Sequence, residues 1–208
     1  MSLKTQCEDL GIELTEIALE YSGRPENAAL SYYEKMGYQG TIDEGYTFRT
    51  ALKALILDEL HEINTFNDRS DACVRYLEAQ MKIHEDKTEH LVSSSSKTRK
   101  RKFKSNMKEI SKIPYIRQSH PDLSLEVATL IYQHFRPEIL SKLLLAFSVD
   151  PYGYRSGWPD LTIGNKKQIE LVEIKTTDKL HGSQLCTIPM LMSILPCKIS
   201  VVRIVKDS

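Results

Sequence analysis

The 208-residue sequence predicts an α/β protein whose first half is mostly helical. Three observations predict it. Residues 47–63 carry Phe48, Leu52, Leu55, Ile56, Leu60 and Ile63 at spacings of three and four, the mark of a helix with one buried face. Residues 161–163 and 168–175 read as two strands about a Gly164-Asn165 turn, and 198–205 (KISVVRIV) as a β-branched strand. Helical stretches before and between them make the C-terminal part helix–strand–strand–helix–strand, an α/β core.

The elements follow in order. Residues 25–36 open with Pro25 at an early helical position and close before Gly37, which predicts a helix. Thr47 reads as the cap of the next helix, and a third is expected over about 71–87. Residues 93–96 are four serines followed by KTRKRKFK, a composition that predicts a mobile loop. Helical patterning resumes at Ser124 and runs through Leu145, with Pro137 imposing a kink or break. Residues 150–160 (DPYGYRSGWPD) form a turn-rich loop, and a helix over 183–195 is bent near Pro189. One domain is expected. Its helical part reaches about residue 92, its basic loop spans about 93–113, and its α/β core spans about 124–206.

Composition excludes several classes. The apolar share of 41% suits a globular core, and no run approaches a membrane span. The polar start, MSLKTQCEDL, lacks the apolar centre of a signal peptide, and Cys7, Cys73, Cys186 and Cys197 are scattered. An intracellular protein with reduced thiols is expected: cytoplasmic or nucleoid-associated in a prokaryote or phage, nuclear in a eukaryote. The net charge of zero hides a division: residues 1–96 hold 9 basic and 18 acidic side chains, and 97–208 hold 19 and 10. Such asymmetry points toward a polyanionic partner. The basic run, with Lys97, Arg99, Lys100, Arg101, Lys102 and Lys104, reads as a phosphate-contacting segment, a solvated loop or a nuclear-import signal. Tyr152, Tyr154, Arg155 and Trp158 form an aromatic–basic cluster suited to stacking on a base or touching a backbone, or simply a packed loop.

The chemistry concentrates in Pro159-Asp160 and Glu173-Ile174-Lys175. A hairpin returns the end of its second strand to the start of its first, so Asp160 and Glu173 converge. Residues two apart on a strand share a face, so Glu173 and Lys175 lie together while Ile174 points into apolar packing. Two acids and a backbone carbonyl form a hard-oxygen site for Mg²⁺ or Mn²⁺. Such an ion neutralises a scissile phosphate and acidifies water, and an adjacent lysine stabilises developing charge. By spacing alone the same residues also suit a soluble strand end.

The segments GWPDLTI and IELVEIKTTDKLHGSQ resemble the nuclease module of the VRR-NUC family, within the restriction-endonuclease-like PD-(D/E)xK superfamily. ALSYYEKMGYQGTIDEGYTFRTALKALILDEL and RPEILSKLLLAFSVDPYGYRSGWPD resemble the Fanconi-associated nuclease branch. The resemblance covers roughly residues 28–60 and 135–205. It implies a PD-(D/E)xK core in which Asp160, Glu173, the Ile174 carbonyl and an additional acid, Glu44, bind metal, and Lys175 is the catalytic lysine. Glu34 and Glu59 compete with Glu44 for the extra-acid role, and the helix dipole alone would also place an acid at Glu44. Asp178, Lys179 and Gln184 match accessory positions. The loop after Lys175 is one residue shorter than the family pattern, which weakens Asp178 and Lys179, and His181 is unusual there.

The resemblance therefore implies a single VRR-NUC domain that hydrolyses phosphodiester bonds in branched or flap DNA, in repair or recombination, with Mg²⁺ or Mn²⁺. The helical-repeat and DNA-binding domains of the Fanconi-associated enzymes have no room in 208 residues, so a stand-alone nuclease is expected. Two alternatives are a Holliday-junction resolvase-like homodimer and a non-catalytic DNA-binding module.

Overall fold

The structure, a computed structural model, describes residues 1–64 and 68–205. In chain order its elements are α1 (Leu3–Leu10), β1 (Glu13–Ala18), α2 (Pro25–Lys35), β2 (Gln39–Ile42), α3 (Tyr46–Ile63), α4 (Arg69–Val74) and α5 (Leu77–Ile83). A 3-10 turn, Glu85–Lys87, precedes α6 (Thr88–Ser95), α7 (Lys100–Lys112), α8 (Pro114–Ser119) and α9 (Leu125–Val149). The chain ends with β3 (Leu161–Gly164), β4 (Ile169–Lys175), α10 (Gly182–Ile194) and β5 (Lys198–Val205). No helix among the described residues is long and apolar enough to cross a membrane.

The single expected domain divides into two compact units. One joins Met1–Gly45 to the chain from Ser156 onward, and the other is Tyr46–Arg155. Of the expected α/β core over about 124–206, α9 falls in the second unit, and residue 206 lies outside the described residues.

The first unit is built on a five-stranded sheet in the order β1-β5-β4-β3-β2. β4 lies at its centre, antiparallel to β3 and parallel to β5, and all seven of its residues are buried. Strand alternation divides their roles. Val172 and Ile174 join Leu161, Ile163, Val202, Ile204 and Ala29 of α2 in the apolar core. Glu173 and Lys175 face the other way.

β1 and β2 correct the helical reading of the N-terminal part. The β1 sequence ELTEIA is rich in Glu and Ala, which disfavour strands in isolation. Its partner is β5, and Arg203 of that strand donates to Glu16 at 3.0 Å across a sequence separation of 187 residues. Lys198 meets Glu13 at 2.8 Å on the same edge. The pairing is supplied by tertiary structure and so leaves little local signal.

The second unit is helical. Its centre is α3, buried on nearly every side from Tyr46 to Leu57, with α6, α7 and α9 against it. Thr47 lies inside this helix, not at its cap, and its hydroxyl accepts from the Ser124 N–H at 3.2 Å. Even Lys53 is buried, its ammonium donating to the carbonyls of Cys73 at 2.6 Å and Arg75 at 3.1 Å. The helix expected over 71–87 is divided into α4, α5 and the 3-10 turn. At Pro137 the expected kink is present: Arg136 adopts φ 56° and ψ 158°.

The expected loop over 93–113 is also corrected, since residues 100–112 form α7 and 88–95 form α6. Phe103, Asn106, Met107 and Ile110 bury one face of α7, and the Asn106 side chain donates to the Ala54 carbonyl at 2.9 Å. Burying Phe103 fully contributes about 2–3 kcal/mol. Arg69 clamps Glu109 with two hydrogen bonds, at 2.8 and 2.9 Å. Lysine and arginine are good helix formers, so a basic composition does not oppose this helix once its apolar stripe is covered.

Candidate active site

The β3–β4 hairpin assembles the centre of the site. Asp160 precedes β3, Glu173 and Lys175 end β4, and the register pairs Leu161 with Val172. Asp160 Oδ2 accepts a hydrogen bond from the Ile174 N–H at 2.8 Å, so the hairpin backbone itself holds this carboxylate. Glu173 Oε1 accepts from Lys175 Nζ at 2.8 Å and from Gln184 Nε2 at 2.5 Å. Gln184 stands in the first turn of α10, where its Oε1 accepts from the His181 N–H at 2.9 Å. Asp178 Oδ2 meets Lys175 Nζ at 3.3 Å and His181 Nε2 at 3.7 Å.

Two glycines allow these segments to close. Gly157 has φ +80°, and a Cβ there would lie 2.3 Å from the Ser183 carbonyl, so only glycine lets the loop before Asp160 meet the start of α10. Gly45 has φ +76°, and its Cβ would lie 2.5 Å from the Trp158 ring. Glu44 beside it also adopts a left-handed conformation, at φ 49°, and its N–H donates to the Asp160 carbonyl at 3.4 Å. The turn is thereby tied to the residue whose carboxylate it accompanies.

A cleft of about 310 Å³ opens over these groups. Asp160, Glu173, Ile174, Lys175, Asp178, His181 and Gln184 line it, and Glu26 and Glu44 join them. Glu26 went unrecognised in the sequence, where an acid in the first turn of a helix is ordinary. Its Oε2 is buried and makes no hydrogen bond, with Arg24 Nε 3.7 Å away. The PE dipeptide opening α2, one α-helical turn before the buried Ala29, was the signal available.

The electrostatics set a clear demand. Burial first, and then the neighbouring Glu173 charge, push the Asp160 carboxyl above its usual range, with Glu26 adding to the effect. Burial also raises the Glu173 carboxyl, against the opposing pull of Lys175 and Gln184. Lys175 loses hydration, yet its bond to Glu173 and the charges of Glu173 and Asp178 hold its ammonium above the ordinary lysine value. Glu173 Oε2 is buried without a hydrogen-bond partner. A half-buried and a buried carboxylate, the latter with an unsatisfied oxygen, fit a hard divalent cation, whose charge would reverse both shifts. Among the described residues, no group of three or more His, Cys, Asp or Glu side chains stands ready to hold a metal ion.

Of the other expected residues, Lys179 is exposed and does not line the cleft. Glu34 is exposed on α2 and is also outside the lining. Glu59 belongs to the helical unit, where it meets His90 at 3.1 Å. Arg155 is in the helical unit too, its guanidinium 5.6 Å from the centre of the Tyr152 ring. Trp158 is buried, so the aromatic cluster is in part packing. Lys97, Arg99, Lys100, Arg101, Lys102 and Lys104 are exposed on α7 or the turn before it.

The fold and site together define a mixed α/β protein with a half-buried acid, a buried acid and a buried lysine on its central hairpin. No protein-family model matches the chain, and no curated protein does. Among solved structures it is similar to paFAN1 bound to 2-nt 5′-flap DNA with a gap, with TM-score 0.58 and 16% identity over 95% of this chain. A second similar structure is paFAN1 bound to 1-nt 5′-flap DNA with a gap, with TM-score 0.57 and the same identity and coverage. The chain spans 38% of the length of that protein. At this identity the likeness is one of fold, and it agrees with the resemblance drawn from the sequence.

Proposed function

We propose that this chain is a metal-dependent DNA nuclease that hydrolyses phosphodiester bonds, with branched or flap DNA as its substrate. The observation that carries the reading is the Asp160–Glu173–Lys175 set, half-buried at Asp160 and buried at Glu173 and Lys175, in which Glu173 Oε2 has no hydrogen-bond partner. A purely structural ion pair would be stabilised by satisfying that oxygen. The fold shared with a protein seen bound to flap DNA supports the same reading.

Asp160, Glu173 and the Ile174 carbonyl would hold Mg²⁺ or Mn²⁺, with Glu44 and Glu26 completing the acidic wall. Such an ion, when bound, would supply charge neutralisation at the scissile phosphate and a more acidic water. Lys175 directs its ammonium along the cleft wall, to orient the attacking water and stabilise charge on the phosphate oxygens. Gln184 fixes the plane of the Glu173 carboxylate through its short hydrogen bond. Asp178 holds Lys175 from the other side. Lys97, Arg99, Lys100, Arg101, Lys102 and Lys104, together with Arg155, bind backbone phosphates.

The deciding assay incubates labelled single-stranded, duplex, 5′-flap and four-way-junction DNA with Mg²⁺, Mn²⁺ or EDTA, beside a Lys175→Ala control. Cleavage by the wild type only with metal, and lost in the control, is the expected result. No metal-dependent cleavage of any substrate would sink the reading.

A further inference from the structure

The hydrolytic cleft is lined by none of the basic side chains between residues 97 and 104. Folding sorts those side chains into two sets. Lys100, Arg101 and Lys104 are exposed on α7. Lys97, Arg99 and Lys102 instead line a pocket of about 430 Å³ within the helical unit, with His90, Ser93 and Thr98. The sequence presents one undivided basic run, and only the turn from α6 into α7 gathers these three cations around one space.

The charge of this pocket is only partly neutralised from within. Among the described residues, the side chains of Lys97 and Arg99 have no ion-pair or hydrogen-bond partner. Lys102 reaches Asp58 at 2.8 Å. Glu59, the carboxylate on the pocket wall, is engaged by His90 Nε2 at 3.1 Å. With Lys102 already paired, the like charges of Lys97 and Arg99 are the ones an entering anion would neutralise. α7 begins at Lys100 with no side-chain cap and no acid in its first turn, which adds uncapped backbone N–H groups to the cationic surroundings.

The donor chemistry favours a phosphoryl group. The guanidinium of Arg99 offers a planar fork for two oxygens, while Lys97 and Lys102 supply point charges for a third. The Ser93 hydroxyl adds a neutral donor at the rim. We propose that this pocket is a phosphate-binding site that seats one phosphoryl group of a nucleic-acid strand, separately from the hydrolytic cleft. The nucleic-acid identity of the ligand rests on the DNA partner proposed above, whereas the phosphate chemistry rests on the pocket alone.

The test compares two charge-matched variants. One is Lys97→Ala with Arg99→Ala and Lys102→Ala. The other is Lys108→Ala with Lys112→Ala and Arg117→Ala, exposed cations further along the same basic stretch. Binding of a fluorescent DNA duplex is followed by anisotropy in EDTA, so that cleavage plays no part. Inorganic phosphate is then titrated as a competitor at constant ionic strength. The pocket variant is expected to bind DNA at least about tenfold more weakly, and the matched variant within about threefold of the wild type. Phosphate should displace DNA from the wild type saturably and fail to do so from the pocket variant. Equal weakening in both variants, without saturable phosphate competition, would overturn the site in favour of spread charge. Saturable phosphate binding, read by NMR shifts of the α7 amides, without any DNA binding would overturn the nucleic-acid ligand and the DNA partner together. Should the pocket variant unfold, Lys97→Gln with Arg99→Gln replaces it, since these two side chains hold no part of the fold together.

Discussion

Gln184 Nε2 donates to Glu173 Oε1 at 2.5 Å, joining the first turn of α10 to the end of the central strand β4. Gln184 is itself held by the His181 N–H, so the orientation of a buried carboxylate is set by a helix start. Gln184→Ala should leave the fold intact and raise the Mn²⁺ concentration needed for half-maximal cleavage by about 10–100-fold. A lower rate at an unchanged Mn²⁺ requirement would assign Gln184 to packing alone.

Glu44 and Glu26 reach the cleft from different elements, a left-handed turn and the first turn of α2. Glu44→Gln is expected to reduce cleavage by at least about 100-fold, or about 2.7 kcal/mol of transition-state stabilisation. Glu26→Gln should also reduce it, because its carboxylate lines the same cleft as Asp160 and Glu173. Single-turnover rates at saturating Mn²⁺ separate the two. Near-normal turnover of Glu44→Gln beside an inactive Glu26→Gln would transfer the extra-acid role to Glu26.

The raised carboxyls of Asp160 and Glu173 link stability to pH in the metal-free protein. The folded state retains protons that the unfolded chain has already lost, so stability falls as pH rises above the ordinary carboxylate range near about 4. Asp160→Asn should flatten that decline. Mn²⁺ should restore the melting temperature of the wild type, most strongly toward neutral pH, and by about 2.7 kcal/mol at 100 times its dissociation constant. Thermal melts with Mn²⁺ and with EDTA across this range measure both effects. A wild type whose stability rises with pH through the window in EDTA would contradict the burial of these two acids.

The burial of Phe103 makes α7 a structural element. Phe103→Ala is expected to destabilise the helical unit by about 3–5 kcal/mol, read from urea unfolding. Lys104→Ala, at the exposed neighbouring position, should shift the midpoint by less than about 0.5 kcal/mol. Matching effects of the two substitutions would show that residues 100–112 are loosely held.

The hairpin was legible in the sequence because its determinants are local. Leu161 to Lys175 contains both strands, their turn and the alternation that places Glu173 and Lys175 on one face. The long helices α2, α3 and α9 were legible for a similar reason, since apolar spacing and Pro or Ser at their starts specify them. β1 was not, because a Glu-rich edge strand gains its stability from pairing with β5. α7 was hidden by its composition: a four-serine run followed by KTRKRKFK has the character of a loop, while Phe103, Met107 and Ile110 carry the helical period.

By itself, then, the sequence determined the pairing of Asp160 with Glu173 and Lys175, since hairpin register acts over a few residues and strand period leaves no freedom of face. The sequence resemblance already named Glu44 as a further acid, and tertiary structure alone brought Glu26 to the same cleft. Glu26 and Glu44 lie more than a hundred residues before Asp160, with the whole helical unit entering the chain between Gly45 and Ser156. It also decided which three of the basic side chains share a pocket. Contacts between segments so far apart depend on how whole elements pack, and a local pattern carries no record of that packing.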